Sequence, residues 1–312
     1  MSNVLGGRGG GAAPLPPTSI VGLGVIIAAE ALLFRGSPIV GHWFTPIVWT
    51  GYVLVVDGIV ARRTGESLLT THRSELVGVT LASILCWWLF EWYNAPRFWE
   101  GGPATEGIWW TYHELEPNAF LRRIGYDWAF ATIFPAIFLT ARGLRALVFA
   151  RARVSPVRVP RTVLWVSVVA GAICAVLPFV IVSPWLVPLV WIAYVLLLEP
   201  LNHLRGAPSW LAALERGDAS LLLSLLASGL LCGLLWEFWN YWALTRWTYT
   251  VPYFGDVKLF EMPLLGYLGF PPFALECFAM YNFLRSLFRD REAPAERYSA
   301  ASRYPTPGSV RR

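Results

Sequence analysis

The sequence predicts an all-α polytopic membrane protein with about eight transmembrane helices in two tandem four-helix repeats. Three observations carry this. Of 312 residues, 56% are hydrophobic and only 14% are charged, whereas a soluble domain has roughly 25% charged residues. Apolar runs recur at the ~18–25-residue length that crosses a bilayer. One pattern of aromatic, acidic and amide residues also occurs twice, in the same order.

The repeat is specific. Trp43, Pro46, Trp49, Tyr52 and Asp57 return 142 residues later as Trp185, Pro188, Trp191, Tyr194 and Glu199. Leu85, Cys86, Glu91 and Asn94 return after 146 residues as Leu231, Cys232, Glu237 and Asn240. Trp110-Thr111-Tyr112 returns as Trp247-Thr248-Tyr249, and Gly125-Tyr126 as Gly266-Tyr267. Preserved order over these lengths is the mark of a duplicated unit. Four spans per half is an even number, so both halves should cross in the same sense, about an axis along the membrane normal.

Taken in order, residues 1–18 are rich in Gly, Ala and Pro with one Arg, which reads as a disordered tail. The glycines around Gly7 lack a preceding strand and a following Lys-Ser/Thr, so they are no phosphate loop. Repeat 1 covers residues 19–150, with spans near 19–34, 45–61, 75–93 and 124–149. The first span carries Glu30 and follows a long neutral tail, which argues against a signal peptide. A long aromatic and acidic loop, 95–119, separates the third and fourth spans. Residues 151–161 place Arg151, Arg153, Arg158 and Arg161 among prolines as a linker. Repeat 2 covers residues 162–289, with spans near 162–182, 185–201, 219–242 and 262–288. Pro271-Pro272 should kink or break the last of these. Residues 290–312 read as a second disordered tail.

Charge sets the expected orientation. The formal net charge is +5, carried almost wholly by arginine, with Lys258 the single lysine. The arginines concentrate in alternate loops, so the positive-inside rule puts both termini in the cytoplasm. Arg-for-Lys usage in an Ala-, Gly- and Leu-rich chain points to a high-GC bacterium, and hence to the bacterial cytoplasmic membrane. Clustering of this kind is a topology signal, so no nucleic-acid partner is expected. Asp57 and Glu199 lie at helix-end spacing from Arg62, Arg63, His203 and Arg205, and are expected to pair with them.

Several chemistries are disfavoured. Cys86, Cys174, Cys232 and Cys277 fall inside apolar runs with no metal spacing, as small buried residues do. His42, His72, His113 and His203 include no pair one helical turn apart, so no metal site and no di-iron oxygenase centre is expected. His113-Glu114-Leu115-Glu116 reads as a solvated loop. No nucleotide motif or cofactor signature is present, so no cofactor is expected.

What remains is a set of carboxyls inside membrane-length sequence. A charged residue at a helix centre costs ~2.5–3.5 kcal/mol on insertion scales, so it turns toward the bundle interior or a wet cavity. Glu237 and its counterpart Glu91 are the first candidates, with Glu276 as a further one. Asn240 and Asn94 lie one turn on from those glutamates, placed to orient their carboxyls. Trp236, Trp239, Trp88, Trp92, Trp247 and Tyr249 are the candidate aromatic lining of a lipid site. A buried carboxyl that holds its proton can act as a general acid toward an apolar substrate. The alternative for these acids is hydrogen bonding between helices, holding the halves together.

Trp236-Glu237, then Trp247-Thr248-Tyr249, then Pro263 opening the next span resemble the lycopene cyclase domain. That helical membrane unit occurs in tandem in carotenoid-cyclising proteins. The resemblance covers residues 185–288 and, with fewer matches, 43–145. It implies an isoprenoid or carotenoid-like lipid bound between two related units and an acid-catalysed isomerisation. The chain departs from the family's pattern of a proline followed by paired acids, since it reads Pro263-Leu264-Leu265-Gly266 here. Glu261 and Glu276 do not match those acids, and each half has one extra span. The expected function is therefore lipid binding between the repeats, with acid catalysis as the chemistry. A secondary transporter, or a non-catalytic subunit with a membrane-protein partner, is the alternative.

Overall fold

The computed structural model of the chain describes residues 15–95, 107–253, 255 and 257–288. The expected C-terminal tail and the first 14 residues of the expected N-terminal tail lie outside the described residues, as does the 96–106 part of the long loop.

The chain is an all-α polytopic protein. Among the described residues, seven helical segments are long and apolar enough to cross a membrane. They are α1 (Pro17–Phe34), α2 (Pro38–Thr64), α3 (Arg73–Asn94), α4 (Ala119–Leu147), α5 (Arg161–Val180), α6 (Val187–Leu204) and α8 (Ser220–Trp242). A 3₁₀ turn, Pro184–Leu186, leads into α6. The short α7 (Trp210–Glu215) sits in the loop between α6 and α8. The eighth expected span is α9 (Phe270–Leu287), which falls outside the apolar set.

Composition and position explain α9 together. It carries Glu276, Asn282 and Arg285 in 18 residues. All ten residues from Phe273 to Asn282 are buried, and α9 packs against α3, α4, α6 and α8. A helix wrapped by protein needs little hydropathy, because its polar groups meet other helices instead of lipid. Pro271-Pro272 neither kink nor break it. They stand in its first turn, where a missing N–H breaks no hydrogen bond and the fixed φ suits the helix.

The duplication governs packing. Outer helix α1 lies on α2 as α5 lies on α6, and α2 packs on α4 as α6 does on α9. Across the halves, α4 meets α8 and α9 meets α3, so each cross-contact has its counterpart. Close crossings rest on small residues, as in membrane bundles. A Cβ on Gly171 would collide with the α6 backbone at Leu197, and one on Gly229 with Phe270 O. At the position equivalent to Gly229, Ser83 takes a different route. Its hydroxyl donates to Phe130 O and accepts from the Phe134 N–H at 3.0 Å.

One end of the bundle is rich in arginine. There Arg142 pairs with Glu66, Arg145 and Arg153 with Asp218 (3.0 and 3.2 Å), and Arg285 with Glu75 (3.5 Å). Asp57 and Glu199 depart from the expected pairing with nearby cations. Asp57 accepts from the Ser67 hydroxyl (2.5 Å) and the Leu68 N–H (2.7 Å). Glu199 accepts from the Ser209 hydroxyl (2.6 Å) and the Leu211 N–H (3.0 Å). Both are 1% exposed. Each folds the following loop back onto its own helix, a task that backbone N–H groups perform and long cationic side chains reaching for water do not.

At the other end, β1 (Trp110–His113) pairs antiparallel with β2 (Arg246–Tyr249). A second small hairpin joins β3 (Lys258–Leu259) to β4 (Met262–Pro263). The ribbon was not expected from the sequence, although Trp-Thr-Tyr is strand-forming composition. Its register sets Thr111 opposite Thr248, Trp110 opposite Tyr249 and Tyr112 opposite Trp247. Each repeat thus contributes one strand, and equivalent threonines face each other at the centre.

Candidate functional site

Two asparagines hold the ribbon to the helices. Asn94, the last residue of α3, accepts from the N–H groups of Trp109 (2.9 Å) and Trp110 (3.0 Å) and donates to Trp110 O (2.9 Å). Asn240, near the end of α8, accepts from the Trp247 N–H (2.9 Å) and donates to Trp247 O (2.8 Å). A primary amide offers a donor and an acceptor that match a peptide group. Both amides therefore go to the strand backbone, whereas the sequence had placed them beside the carboxyls.

The carboxyls are met by tyrosines instead. Residues two apart on a strand share a face, so Trp110 with Tyr112, and Trp247 with Tyr249, turn to the same side. The Tyr112 hydroxyl donates to Glu91 Oε1 at 2.5 Å, and the Tyr249 hydroxyl to Glu237 Oε1 at 2.7 Å. Trp87 Nε1–H also donates to Glu91 Oε1 (2.9 Å), and Trp247 Nε1–H to the Tyr249 oxygen (2.8 Å). Burial, reinforced by the neighbouring Glu91 carboxyl, pushes the Tyr112 phenol well above the usual tyrosine range. Burial and Glu237 do the same to Tyr249. Both phenols remain protonated donors at neutral pH.

The face of the ribbon that carries these rings roofs a cavity of about 440 Å³ between the repeats. Trp110, Tyr112, Trp247 and Tyr249 form the roof. Below them, Pro46 and Trp49 of α2 face Pro188 and Trp191 of α6, the equivalent residues of the other half. Trp87, Trp236 and Phe273 project from the inner helices. Trp87 stacks on Trp236 with ring centroids 5.4 Å apart. The volume falls within the ~300–1,000 Å³ of small-molecule sites, which are mostly apolar with a few placed polar groups.

The residues singled out in the sequence divide clearly. Trp236, Trp247 and Tyr249 line the cavity. Glu91 and Glu237 are buried, at 9% and 0% exposure, and stand behind their tyrosines instead of on the cavity wall. Glu276 is fully buried in α9 and accepts from the Tyr194 N–H at 2.8 Å. Trp88, Trp92 and Trp239 lie outside the lining. Trp88 donates to Asp127 (2.7 Å) under the Arg123 guanidinium, Trp92 packs on Phe179, and Trp239 donates to Glu30 (3.1 Å). The second oxygens of Glu237 and Glu276 are buried with no hydrogen-bond partner among the described residues.

The sequence reading missed Tyr112, Trp110, Trp49, Trp191 and Trp87. The first four belong to the repeat itself, so equivalence to Tyr249 or to each other could have found them. Trp87 could not be found that way, because the equivalent position is Gly233. No protein-family model, no curated protein and no solved structure matches this chain. Fold and site together define a polytopic membrane protein with internal two-fold repetition and a roofed aromatic cavity at the junction of its halves.

Proposed function

We propose that the protein resides in the bacterial cytoplasmic membrane with both termini cytoplasmic, and binds an isoprenoid or carotenoid-like lipid between its two repeats. The single observation that supports this most is the aromatic cavity under the ribbon. Its tryptophans and prolines suit flat or branched hydrocarbon. Its edges reach Leu265, Leu268 and Ile192, which are 46%, 71% and 37% exposed, so a lipid can enter sideways from the bilayer.

The chemistry proposed at this site is protonation of a double bond. Glu237 is the proton source, and the Tyr249 hydroxyl that lines the cavity relays its proton to the lipid; Glu91 with Tyr112 is the counterpart. Each hydroxyl proton is engaged by its carboxyl in the resting site, so transfer requires the phenol to turn toward substrate. It gives its proton to the double bond as the protonated carboxyl re-protonates it. The lipid cation then loses a neighbouring proton, which returns through the tyrosine to the carboxylate and restores the site. The resemblance to the lycopene cyclase domain supports the same substrate class.

The test begins with the purified protein. Extraction and mass spectrometry should yield a stoichiometric isoprenoid. Gly125 lines the cavity with open space where its side chain would be, so Gly125→Leu should fill the cavity and strip the lipid while melting like wild type. If Gly125→Leu retains the same lipid load, the site is elsewhere. Glu237→Gln should bind the lipid and fail to convert it, and full conversion by that variant removes Glu237 from the chemistry.

A further inference from the structure

The cavity is symmetric in its aromatic walls and asymmetric in charge. On the repeat 1 side its rim holds His42, Glu116 and Arg122, and the position equivalent to Arg122 is Pro263, beside Leu265 and Leu268. One mouth is thus ionic and the other is hydrocarbon.

Arg122 is the notable member. It lies in the first turns of α4, half-buried on the cavity wall. One guanidinium nitrogen donates to the backbone oxygen of Glu116 at 3.1 Å. Among the described residues no carboxylate lies within ion-pair distance of it. Glu116 Oε1 instead accepts from the Asn118 N–H at 3.1 Å, and the neighbouring Arg123 pairs with Asp127 at 2.9 Å, away from the cavity. A guanidinium has five N–H donors in a planar fork that matches a carboxylate or phosphate, and one bond to a carbonyl leaves most of the fork open. Tyr126, one turn along α4, also lines the cavity, and its hydroxyl has no partner among the described residues. Its repeat equivalent, Tyr267, donates to Leu259 O at 2.9 Å. Among the described residues, the buried donors of the cavity lining that have no partner, Tyr126 and the Trp110 indole, therefore both lie on the repeat 1 side.

We infer that the lipid taken by this cavity is an anionic amphiphile, whose carboxylate or phosphate head is received by Arg122 at the repeat 1 mouth while its apolar tail lies among Trp49, Trp87, Trp191 and Trp236. The inference rests on the lipid-binding reading above and adds the head-group chemistry to it.

Retinoic acid and retinol test it, since they share a polyene tail, differ in head group and both quench nearby tryptophan fluorescence. Titrated into the full-length protein in neutral detergent, the acid should bind about tenfold or more tighter than the alcohol, the scale of a charge-assisted hydrogen bond. Arg122→Gln should erase that preference, bringing the acid to the affinity of the alcohol. Millimolar inorganic phosphate should not displace the acid. Equal affinity for the two probes in wild type, or an undiminished preference in Arg122→Gln, overturns the anionic head and leaves lipid binding standing. Displacement by inorganic phosphate alone would make this a plain anion site and overturn the amphiphile. Gly125→Leu separates the two levels: if it binds both probes as wild type does, the cavity itself is not the binding site.

Discussion

Thr111 and Thr248 face each other across the two-stranded ribbon, and they are the same residue of two copies of one unit. Pairing of this kind is self-complementary, as at a two-fold dimer interface. The local axis of the molecule therefore passes between these threonines and down into the cavity below.

This gives a direct test of the ribbon. Directly opposed strand residues hold their Cβ atoms about 4.5–5.5 Å apart, near disulfide reach. A Thr111→Cys/Thr248→Cys double variant, cut at a protease site engineered between Ser155 and Pro156, should run as one species without reductant and as two with it. Two fragments under both conditions would show that the strands do not pair in this register.

The asparagine clamps are expected to dominate the stability of the roof. Asn240→Ala leaves the Trp247 N–H and C=O without their partner, and an unsatisfied buried polar group costs about 1–3 kcal/mol. Unfolding followed by tryptophan fluorescence should show a loss of about 2 kcal/mol or more. The Asn94→Ala loss should be larger, because three bonds go instead of two. Wild-type stability in both variants would mean that the ribbon is held by something else.

At the arginine-rich end, Asp218 should make stability depend on pH. Partial burial disfavours its charge, but hydrogen bonds from Ser220 and the cations of Arg145 and Arg153 outweigh that, and its carboxyl titrates below the usual range. A group whose folded value is depressed stabilises above its unfolded value, near ~3.9, and loses that contribution as pH falls through the folded value. Asp218→Asn should therefore melt lower than wild type at neutral pH, with the gap closing below about pH 4. A gap independent of pH would assign the effect to packing.

Glycines separate contact from propensity. Gly229→Val drives a side chain into the Phe270 backbone and should abolish assembly of α8 with α9. Gly24→Val, where nothing lies within 4 Å, should be tolerated. Comparable yields of monodisperse protein from both variants would contradict the close crossing.

Much of this architecture was legible beforehand because duplication leaves a trace that composition alone cannot. The spacing of Glu91 and Glu237, and of Asn94 and Asn240, marked the helix ends where the site lies. Partner choice was not legible. Asn240 is one turn from Glu237, so local geometry suggests that they interact, yet the amide bonds the strand seven residues on and the carboxyl takes a tyrosine twelve residues away. Asp57 lay near arginines in sequence and bonds a serine and a backbone N–H in space. Such choices depend on how loops fold back, which hydropathy and spacing do not encode. Arg122 was similarly silent, since only the three-dimensional arrangement shows that no carboxylate among the described residues lies within ion-pair distance of it.

The enclosure of α9 has a consequence for biosynthesis. With Glu276 and Arg285 in so short a segment, this helix is poorly suited to leave the translocation machinery for lipid on its own. It needs a slot already shaped by α3, α4, α6 and α8, all of which precede it in the chain, so among the described helices the latest in order is also the one that locks the assembly. A nascent chain halted before α9 would expose an unfilled groove to the bilayer and invite quality-control proteolysis.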